Sequence, residues 1–293
     1  MKTGLGNQAF TIIETLIVLA VSAMMILIAL LLVGNQQQKN EFIQAAHDIQ
    51  SEMNQVISNV QNGYYALPPN GLNCQRSTTS PVIPEISAPA TGGNKLGTNS
   101  DCVLMGRAMQ FGVNGKPADY NIYNLAGLRN SSANANVLSA NLMDARPIAL
   151  SSYGGGAYPA AEDTTESNTL EYGLGVGYSG TQQAMSFTFP GTTNLASAIA
   201  FITDPGSTGT NGLNPGTQAI RLYGVEATSL NNSADTRDNV VQELNRYNFL
   251  IQADSAKICF DDGRNTNHSA VITIGSNNRQ LSTSLDFKNG PCP

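Results

Sequence analysis

The stretch FTIIETLIVLAVSAMMILIALLLV, residues 10–33, decides the architecture of this chain. It is 24 residues long, Glu14 is its only charged residue, and no proline interrupts it. About 20 consecutive apolar residues are enough for a helix to cross a bilayer. The sequence therefore predicts a membrane-spanning helix near the beginning of a chain of 293 residues.

The segments on either side of this helix predict its orientation. Residues 1–9, MKTGLGNQA, are polar and carry one positive charge, at Lys2. A positive charge before the apolar run predicts a cytoplasmic N-terminus and an exported remainder after Gly34. A secretory signal has a shorter apolar region and a small-x-small cleavage site after it. Here the polar segment GNQQQKNEF follows, so we expect the helix to stay attached to the mature protein.

An apolar stripe continues the helical pattern beyond the predicted membrane span. Its members recur at spacings of four and three: Phe42, Ala46, Ile49, Met53, Val56 and Val60. Such a stripe is typical of a helix face that packs on the protein's own domain. We expect one helix of about 50 residues, on the order of 75 Å long. Asn62-Gly63 supplies its stop signal.

From Tyr64 onward the pattern indicates strands and loops. The Pro-, Gly-, Ser- and Thr-rich stretch 66–100 predicts a loop. Short apolar or alternating runs predict strands at 102–113, 169–178, 184–189, 198–203 and 219–225. Polar stretches predict surface loops at 129–138, 151–168 and 205–217. The runs 256–260, 270–274 and 281–287, separated by turn residues, predict an antiparallel C-terminal meander.

Four cysteines fall as two separated pairs, Cys74 with Cys102 and Cys259 with Cys292. Four cysteines allow three pairings, and the sequence does not choose among them. Pairing neighbours would close two loops of similar length, each worth about 3 to 4 kcal/mol in the chain-entropy model. Disulfides here would indicate maturation in an oxidising compartment. Four inert buried thiols are the alternative.

Composition and motifs exclude several classes of function. Charged residues make up only 12% of the chain and the net charge is −6, so we predict no nucleic-acid partner. No G-x-S-x-G, Walker or H-E-x-x-H motif occurs, and the only histidines are His47 and His268. We therefore predict no enzyme activity, no catalytic residue, no cofactor and no metal site.

These observations predict an α+β fold with four segments. They are a leader peptide at 1–9, a hydrophobic transmembrane and assembly helix at 10–34, an amphipathic extension at 35–62 and an exported β-rich head at 63–293. We expect the C-terminal half of the long helix, about 10–61 in total, to pack on the head.

The junction Ala9/Phe10, followed by TIIETL at 11–16, resembles the type IV prepilin signature. Members of that family have a short charged leader, a small residue before the cut, Phe at the first mature position and Glu at the fifth. Phe10 and Glu14 fall on those two positions. The resemblance covers roughly a fifth of the chain. It implies cleavage after Ala9 by a prepilin peptidase and N-methylation of Phe10.

Two features depart from the family pattern. Ala9 stands where the family usually has Gly, and since Ala is also small we expect cleavage, but slower. The apolar helix also lacks the proline that many members carry, which leaves open whether it partly melts on assembly. The cysteine-bounded C-terminal meander is similar to pilin heads and to pseudopilins of the GspH and FimT kind.

Glu14 has a chemical role that the residues themselves suggest. A carboxylate inside an apolar membrane helix costs a few kcal/mol at the bilayer centre and usually marks function. Cleavage would create an amine on Phe10, one helical turn away. The amine of one subunit would then neutralise Glu14 of its neighbour and set the axial register. A tolerated carboxylate near a membrane boundary is the alternative.

The leading interpretation is a structural subunit of a type IV pilus, and the large head favours a minor or tip pilin with an adhesive role. Its expected partners are other pilin subunits, the prepilin peptidase, the assembly platform and the inner membrane. We expect the chain in the cell membrane, with its head outside, and in the extracellular pilus. A pseudopilin of a type II secretion or DNA-uptake machine, and a membrane-anchored binding protein that never polymerises, are the alternatives.

Overall fold

The computed structural model describes most of the chain in thirteen stretches. They are residues 11–66, 72–78, 82–87, 101–151, 164–179, 182–183, 185–189, 191–203, 220–226, 237–245, 250–263, 268–277 and 280–292. The chain divides into two compact units, residues 1–44 and 45–293. The predicted leader, 1–9, and Phe10 lie outside the described residues.

The described helices differ greatly in length. Helix α1 spans Ile12–Gln61, α2 spans Leu142–Ala145, α3 spans Arg237–Leu244, and a short 3-10 turn covers Val113–Gly115. Thr11 begins α1, because its hydroxyl oxygen accepts a hydrogen bond from the Glu14 N–H at 3.3 Å. Gly63, with φ of 66°, ends it in the left-handed conformation typical of a helix C-terminus. The predicted long helix is therefore present.

Sixteen strands occur in the described part of the chain. The first eight are β1 (Asn73–Arg76), β2 (Pro84–Ser87), β3 (Cys102–Phe111), β4 (Asp119–Leu128), β5 (Ile148–Ala149), β6 (Glu166–Thr169), β7 (Gly175–Val176) and β8 (Tyr178–Ser179). The others are β9 (Gln182–Gln183), β10 (Met185–Phe189), β11 (Thr192–Thr203), β12 (Ile220–Glu226), β13 (Leu250–Ala253), β14 (Ser255–Asp261), β15 (His268–Asn277) and β16 (Gln280–Asn289).

One large antiparallel sheet organises the second unit. Its twelve described strands follow the order β16-β15-β14-β10-β11-β3-β4-β5, with β12, β13, β6 and β7 joined to its sides. One edge of β11 pairs with two strands. Its first residues pair with β10, and its later residues pair with β12. The mixed α+β class, with an apolar N-terminal helix before a large antiparallel sheet, is therefore confirmed.

Most predicted strands are present with shifted ends. The C-terminal meander is confirmed as β14-β15-β16, with Ala256 opposite Ile274 and Ile272 opposite Leu285. The strand predicted over 169–178 is wrong, because β6 ends at Thr169 and β7 begins only at Gly175. Between them Tyr172 and Gly173 adopt positive φ values of 55° and 76°, which ends the extended conformation.

The predicted loops need two corrections as well. Strands β1 and β2 pair within the stretch 66–100 that the sequence predicted as a loop. Strand β6 occupies residues 166–169, at the end of the predicted loop 151–168. The loop predicted at 129–138 holds only a single bridge, between Asn130 and Leu138. The loop predicted at 205–217 lies outside the described residues.

The sheet is closely packed around β3 and β11. Tyr123 and Val225 belong to a buried apolar cluster that includes Val240, Val241 and Leu244 of α3. At Gly106, where the register of β3 against β4 shifts, a Cβ atom would collide with the backbone of Phe201 and Ile202. Glycine is therefore required at position 106, where β3 approaches the backbone of β11 closely.

Residues 45–61 of α1 belong to the second unit and have a buried apolar side. Ala46, Met53 and Val60 have no measurable exposure, and Ile49 and Val56 are 3% and 2% exposed. These spacings of three and four place the five side chains on one face of the helix. The polar side chains of α1 beside that face belong to the second candidate region described below.

Candidate functional sites: an apolar segment and polar cavities

The first candidate site is the N-terminal part of α1. Among its described residues, every large apolar side chain from Ile12 to Ile28 is exposed, from 48% at Val21 to 80% at Ile12. The segment Ile12–Ala29 is long and apolar enough to cross a membrane, by length and composition alone. Covering twelve such side chains is worth on the order of tens of kcal/mol as an upper estimate. This segment is therefore a candidate membrane anchor or signal sequence.

Glu14 lies in the first turn of this segment, and its side chain is exposed. Thr11 and Glu14 match the capping box, in which Ser or Thr precedes the helix and Glu or Gln occupies its third position. An acidic residue in the first turn also interacts favourably with the helix dipole. The signal T-x-x-E stands in the sequence at residues 11–14 but is not among the predictions above, which concern the carboxylate in assembly. Glu14 thus has a local reason to be present.

The predicted processing residues, Ala9 and Phe10, lie outside the described residues. The role of Glu14 in assembly, and the cleavage and methylation at Phe10, stay predictions.

The cysteines form two disulfides, Cys74–Cys102 and Cys259–Cys292, with Cα–Cα distances of 5.9 and 5.7 Å. These are the neighbour pairs among the three pairings that the sequence left open. The first joins β1 to the start of β3, and the second ties the C-terminal tail to β14. Gly177 lies against Cys292, where a Cβ atom would collide with the sulfur.

A second candidate region surrounds the polar side of α1 residues 45–61. The Tyr120 hydroxyl of β4 donates a hydrogen bond to Oε2 of Glu52. Burial raises the pKa of Tyr120 above its ordinary value, and this bond and nearby carboxylates raise it further. The hydroxyl therefore stays protonated and able to donate. On β16, the Thr283 hydroxyl donates to Asn54 at 2.9 Å.

A buried arginine lies near the other end of this region. The side chain of Arg107, on β3, is 4% exposed and forms an ion pair with Glu166 of β6. Its Nε donates to Oδ1 of Asn124 at 3.0 Å. A buried charge needs such partners, because an unpaired one would be strongly destabilising. Burial also raises the pKa of the nearby Tyr65 to about 12, although Thr203 and Arg107 lower it.

Two cavities open along this side of α1. The larger, about 410 Å³, is lined by three carboxylate residues, Asp48, Glu52 and Glu171, together with Tyr120 and Ala45 among others. Within the described part of the chain, no group of three or more His, Cys, Asp or Glu side chains is placed to hold a metal ion.

The smaller cavity, about 220 Å³, has a more varied lining. It includes Glu52, Gln55 and Asn59 of α1, together with Tyr64 and the Arg107–Glu166 ion pair. None of these residues was predicted from the sequence. Gln55 and Asn59 are four residues apart, so the sequence places them on one helix face, but their proximity to Arg107 depends on β3 lying beneath α1.

Comparison with protein-family models, with curated proteins and with solved structures finds no match to this chain.

Proposed function

We propose that the chain is a structural subunit of a type IV pilus, anchored in the membrane before assembly and held in the filament by helix packing. The observation that carries the proposal is the uncovered apolar surface of α1 from Ile12 to Ile28, with Glu14 as its only carboxylate. The prepilin-like sequence around Ala9 and Phe10 gives the proposal its family. The large disulfide-bonded head favours a minor or tip subunit that contacts other surfaces.

In this proposal α1 is one stalk. Its first half lies in the bilayer and then among the helices of neighbouring subunits, and its second half packs on the head. The N-terminus is cytoplasmic and the head lies outside the cell. After removal of residues 1–9, the new amine of Phe10 pairs with Glu14 of the adjacent subunit. Pairing in a low-dielectric helix bundle strengthens the attraction and penalises a subunit placed out of register.

A second candidate function is a membrane-anchored binding protein that does not polymerise. The apolar surface of α1 supports this function as well as it supports a pilus subunit. Lipid alone covers such a helix. The two functions differ in the role of the Glu14 charge, which a filament uses to pair with a neighbouring subunit, whereas a simple anchor uses Glu14 only in the local cap of α1.

Glu14→Gln is the sharpest test of assembly, because Gln also fits the capping box while it removes the charge. We expect Glu14→Gln to be processed and retained in the membrane but lost from sheared surface filaments. Glu14→Asp, which keeps the charge, should retain partial assembly. Quantitative mass spectrometry of the filament and membrane fractions measures both variants. Filament levels of Glu14→Gln equal to those of the parent would refute the charge-pair mechanism.

The same mass spectrometry tests identity directly. We expect a filament peptide that begins with N-methylated Phe10, and its abundance separates a main from a minor subunit. A chain that keeps Met1 and is absent from filaments would leave the membrane-anchored binding protein as the better explanation.

A further inference from the structure

The loop between β4 and β5 has polar side chains turned inward and apolar side chains turned outward. Ser131 and Ser139 are buried, at 7% and 5% exposure, whereas Val137, Leu138 and Met143 are 52%, 58% and 65% exposed. No charged residue lies between Ser131 and Met143. Single exposed apolar residues are ordinary in folded proteins, but three of them on one uncharged loop form an unusual surface.

Hydrogen bonds hold this loop in place. The Ser139 hydroxyl donates to the Leu128 carbonyl at 2.9 Å. From β1, the Arg76 guanidinium donates to the carbonyl oxygens of Ser131 and Ser132, at 2.6 Å each. These polar groups therefore bond within the protein, and the apolar side chains of the loop are left facing solvent.

Helix α2, which belongs to this loop, fixes the direction of Met143. The Asp144 N–H donates to Oδ1 of Asn141 at 2.9 Å, which caps the single turn of α2. Leu142 packs against the buried apolar cluster described above, and Ala145, three positions later, is completely buried. Residues three apart share one face of a helix, so Met143 between them is turned outward.

The other methionines of the second unit are enclosed. Met53, Met105, Met109 and Met185 have exposures of 0%, 2%, 1% and 0%. Met143 is the fifth methionine of this unit and the only exposed one. A thioether is oxidised only when the oxidant reaches its sulfur atom. The structure therefore separates one accessible thioether from four protected ones.

We propose that Met143 is a site of reversible oxidation by peroxides. The thioether sulfur attacks one oxygen of the peroxide, the O–O bond breaks, and the sulfur gains that oxygen as a sulfoxide. With hydrogen peroxide the second oxygen leaves as water, so the sulfur loses the two electrons that the peroxide gains. A reductase supplied with a dithiol reverses the step, which releases water and converts the dithiol to a disulfide.

The sulfoxide changes the surface of the loop and leaves the fold intact. Its polar oxygen is solvated, because the Met143 side chain is exposed, and the loop that also exposes Val137 and Leu138 becomes less apolar. The same oxygen on Met53 would enter the core without a hydrogen-bond partner. The reaction depends only on the folded second unit, so it does not require the pilus function proposed above.

The test treats the full-length chain, in peroxide-free detergent, with hydrogen peroxide over a time course. Peptide mass spectrometry measures the added oxygen at each methionine. We expect Met143 to react at least about tenfold faster than the buried methionines, because those react only while the structure around them opens. Met24 and Met25 stay outside the comparison, since detergent around the candidate membrane span restricts access to them. Equal rates at Met143 and the buried methionines would overturn the proposal.

Two controls separate exposure from intrinsic reactivity. Met143→Leu nearly conserves the side-chain volume, and should leave the second unit folded and without a rapidly oxidised methionine. In concentrated urea, Met143 and the buried methionines of the parent should react at similar rates. A rapidly oxidised methionine that remains in the second unit of folded Met143→Leu would contradict the assignment, as would rates in urea that differ as widely as in the folded chain.

Reduction and unfolding measurements test reversibility and the intact fold. Methionine sulfoxide reductases for both sulfoxide epimers, with a dithiol donor, should return the Met143 peptide to its original mass. The chain oxidised at Met143 should keep the circular dichroism spectrum and the urea midpoint of the parent. A sulfoxide that neither reductase removes would contradict reversibility, and a lowered urea midpoint would show that Met143 supports the fold.

Discussion

At the scale of single residues, the contact between Tyr120 and Glu52 joins α1 to the sheet. Among the described residues, the Tyr120 hydroxyl is the only hydrogen-bond donor to the Glu52 side chain. Tyr120 is 5% exposed and stacks against Phe111 at 5.5 Å between ring centroids. A phenylalanine would keep that stacking and remove only the hydroxyl, which makes this position suitable for a clean substitution.

We expect Tyr120→Phe to destabilise the folded head by about 1 to 3 kcal/mol, because the Glu52 carboxylate loses a partner in a partly buried site. Urea unfolding of the full-length chain in detergent measures the change. Tyr172→Phe provides a matched control, since that tyrosine is 41% exposed. An effect of Tyr120→Phe no larger than that of the control would show that water replaces the bond at no cost.

At the scale of elements, the C-terminal meander depends on a covalent link. Strand β16 pairs only with β15 among the described strands, so it forms one end of the sheet. The Cys259–Cys292 disulfide ties the residues after β16 back to β14, two strands away. The two cysteines are separated by 33 positions in the sequence, and the segment between them contains all of β15 and β16. It therefore restrains an edge that would otherwise separate easily.

Replacing Cys259 and Cys292 together by serine should lower stability by about 3 to 4 kcal/mol in the chain-entropy model. Hydrogen exchange should accelerate first in β16 and β15. The pair Cys74→Ser and Cys102→Ser is the matched control, because its sequence separation of 28 is close to 33. That control should loosen β1 and β2 instead. Equal protection of β16 in both double variants would contradict the local role of the C-terminal bond.

At the scale of the whole molecule, the raised pKa values of Tyr65 and Tyr120 predict that stability falls at alkaline pH. In the unfolded chain Tyr65 loses its proton near its ordinary pKa of 10, whereas burial raises the folded value to about 12. Between these values the unfolded state binds fewer protons than the folded state. Stability is therefore complete below pH 10 and falls as the pH rises toward 12, and Tyr120 contributes in the same direction.

We expect the alkaline unfolding midpoint of Tyr65→Phe to lie at higher pH than that of the parent, because phenylalanine has no proton to lose. The same variant should be slightly less stable at neutral pH, since the interaction with Thr203 disappears. Circular dichroism across pH 9 to 12 would follow the window that the shifted pKa defines. An unchanged midpoint would contradict the dominance of burial at Tyr65.

The sequence alone determined those features that depend on local pattern. An uninterrupted apolar run defines a helix and its candidate membrane span, because the bilayer sets the required length and no tertiary contact is needed. The alternating runs near 256–287 define the meander, because period-two patterns and short turns act between neighbours in the chain. The signal T-x-x-E at 11–14 was equally local and was overlooked.

Only the tertiary structure decided the features that join distant parts of the chain. The sequence did not choose the disulfide pairing, since any of three pairings satisfies the same four cysteines. The sequence also did not predict β4, which pairs with both β3 and β6. Its residues, DYNIYNLAGL, mix polar and apolar side chains on both faces, although both faces of the strand are buried. The cavity beside Tyr64 required α1, β3 and β6 to meet, and long-range contacts of this kind leave no periodic trace in any one segment.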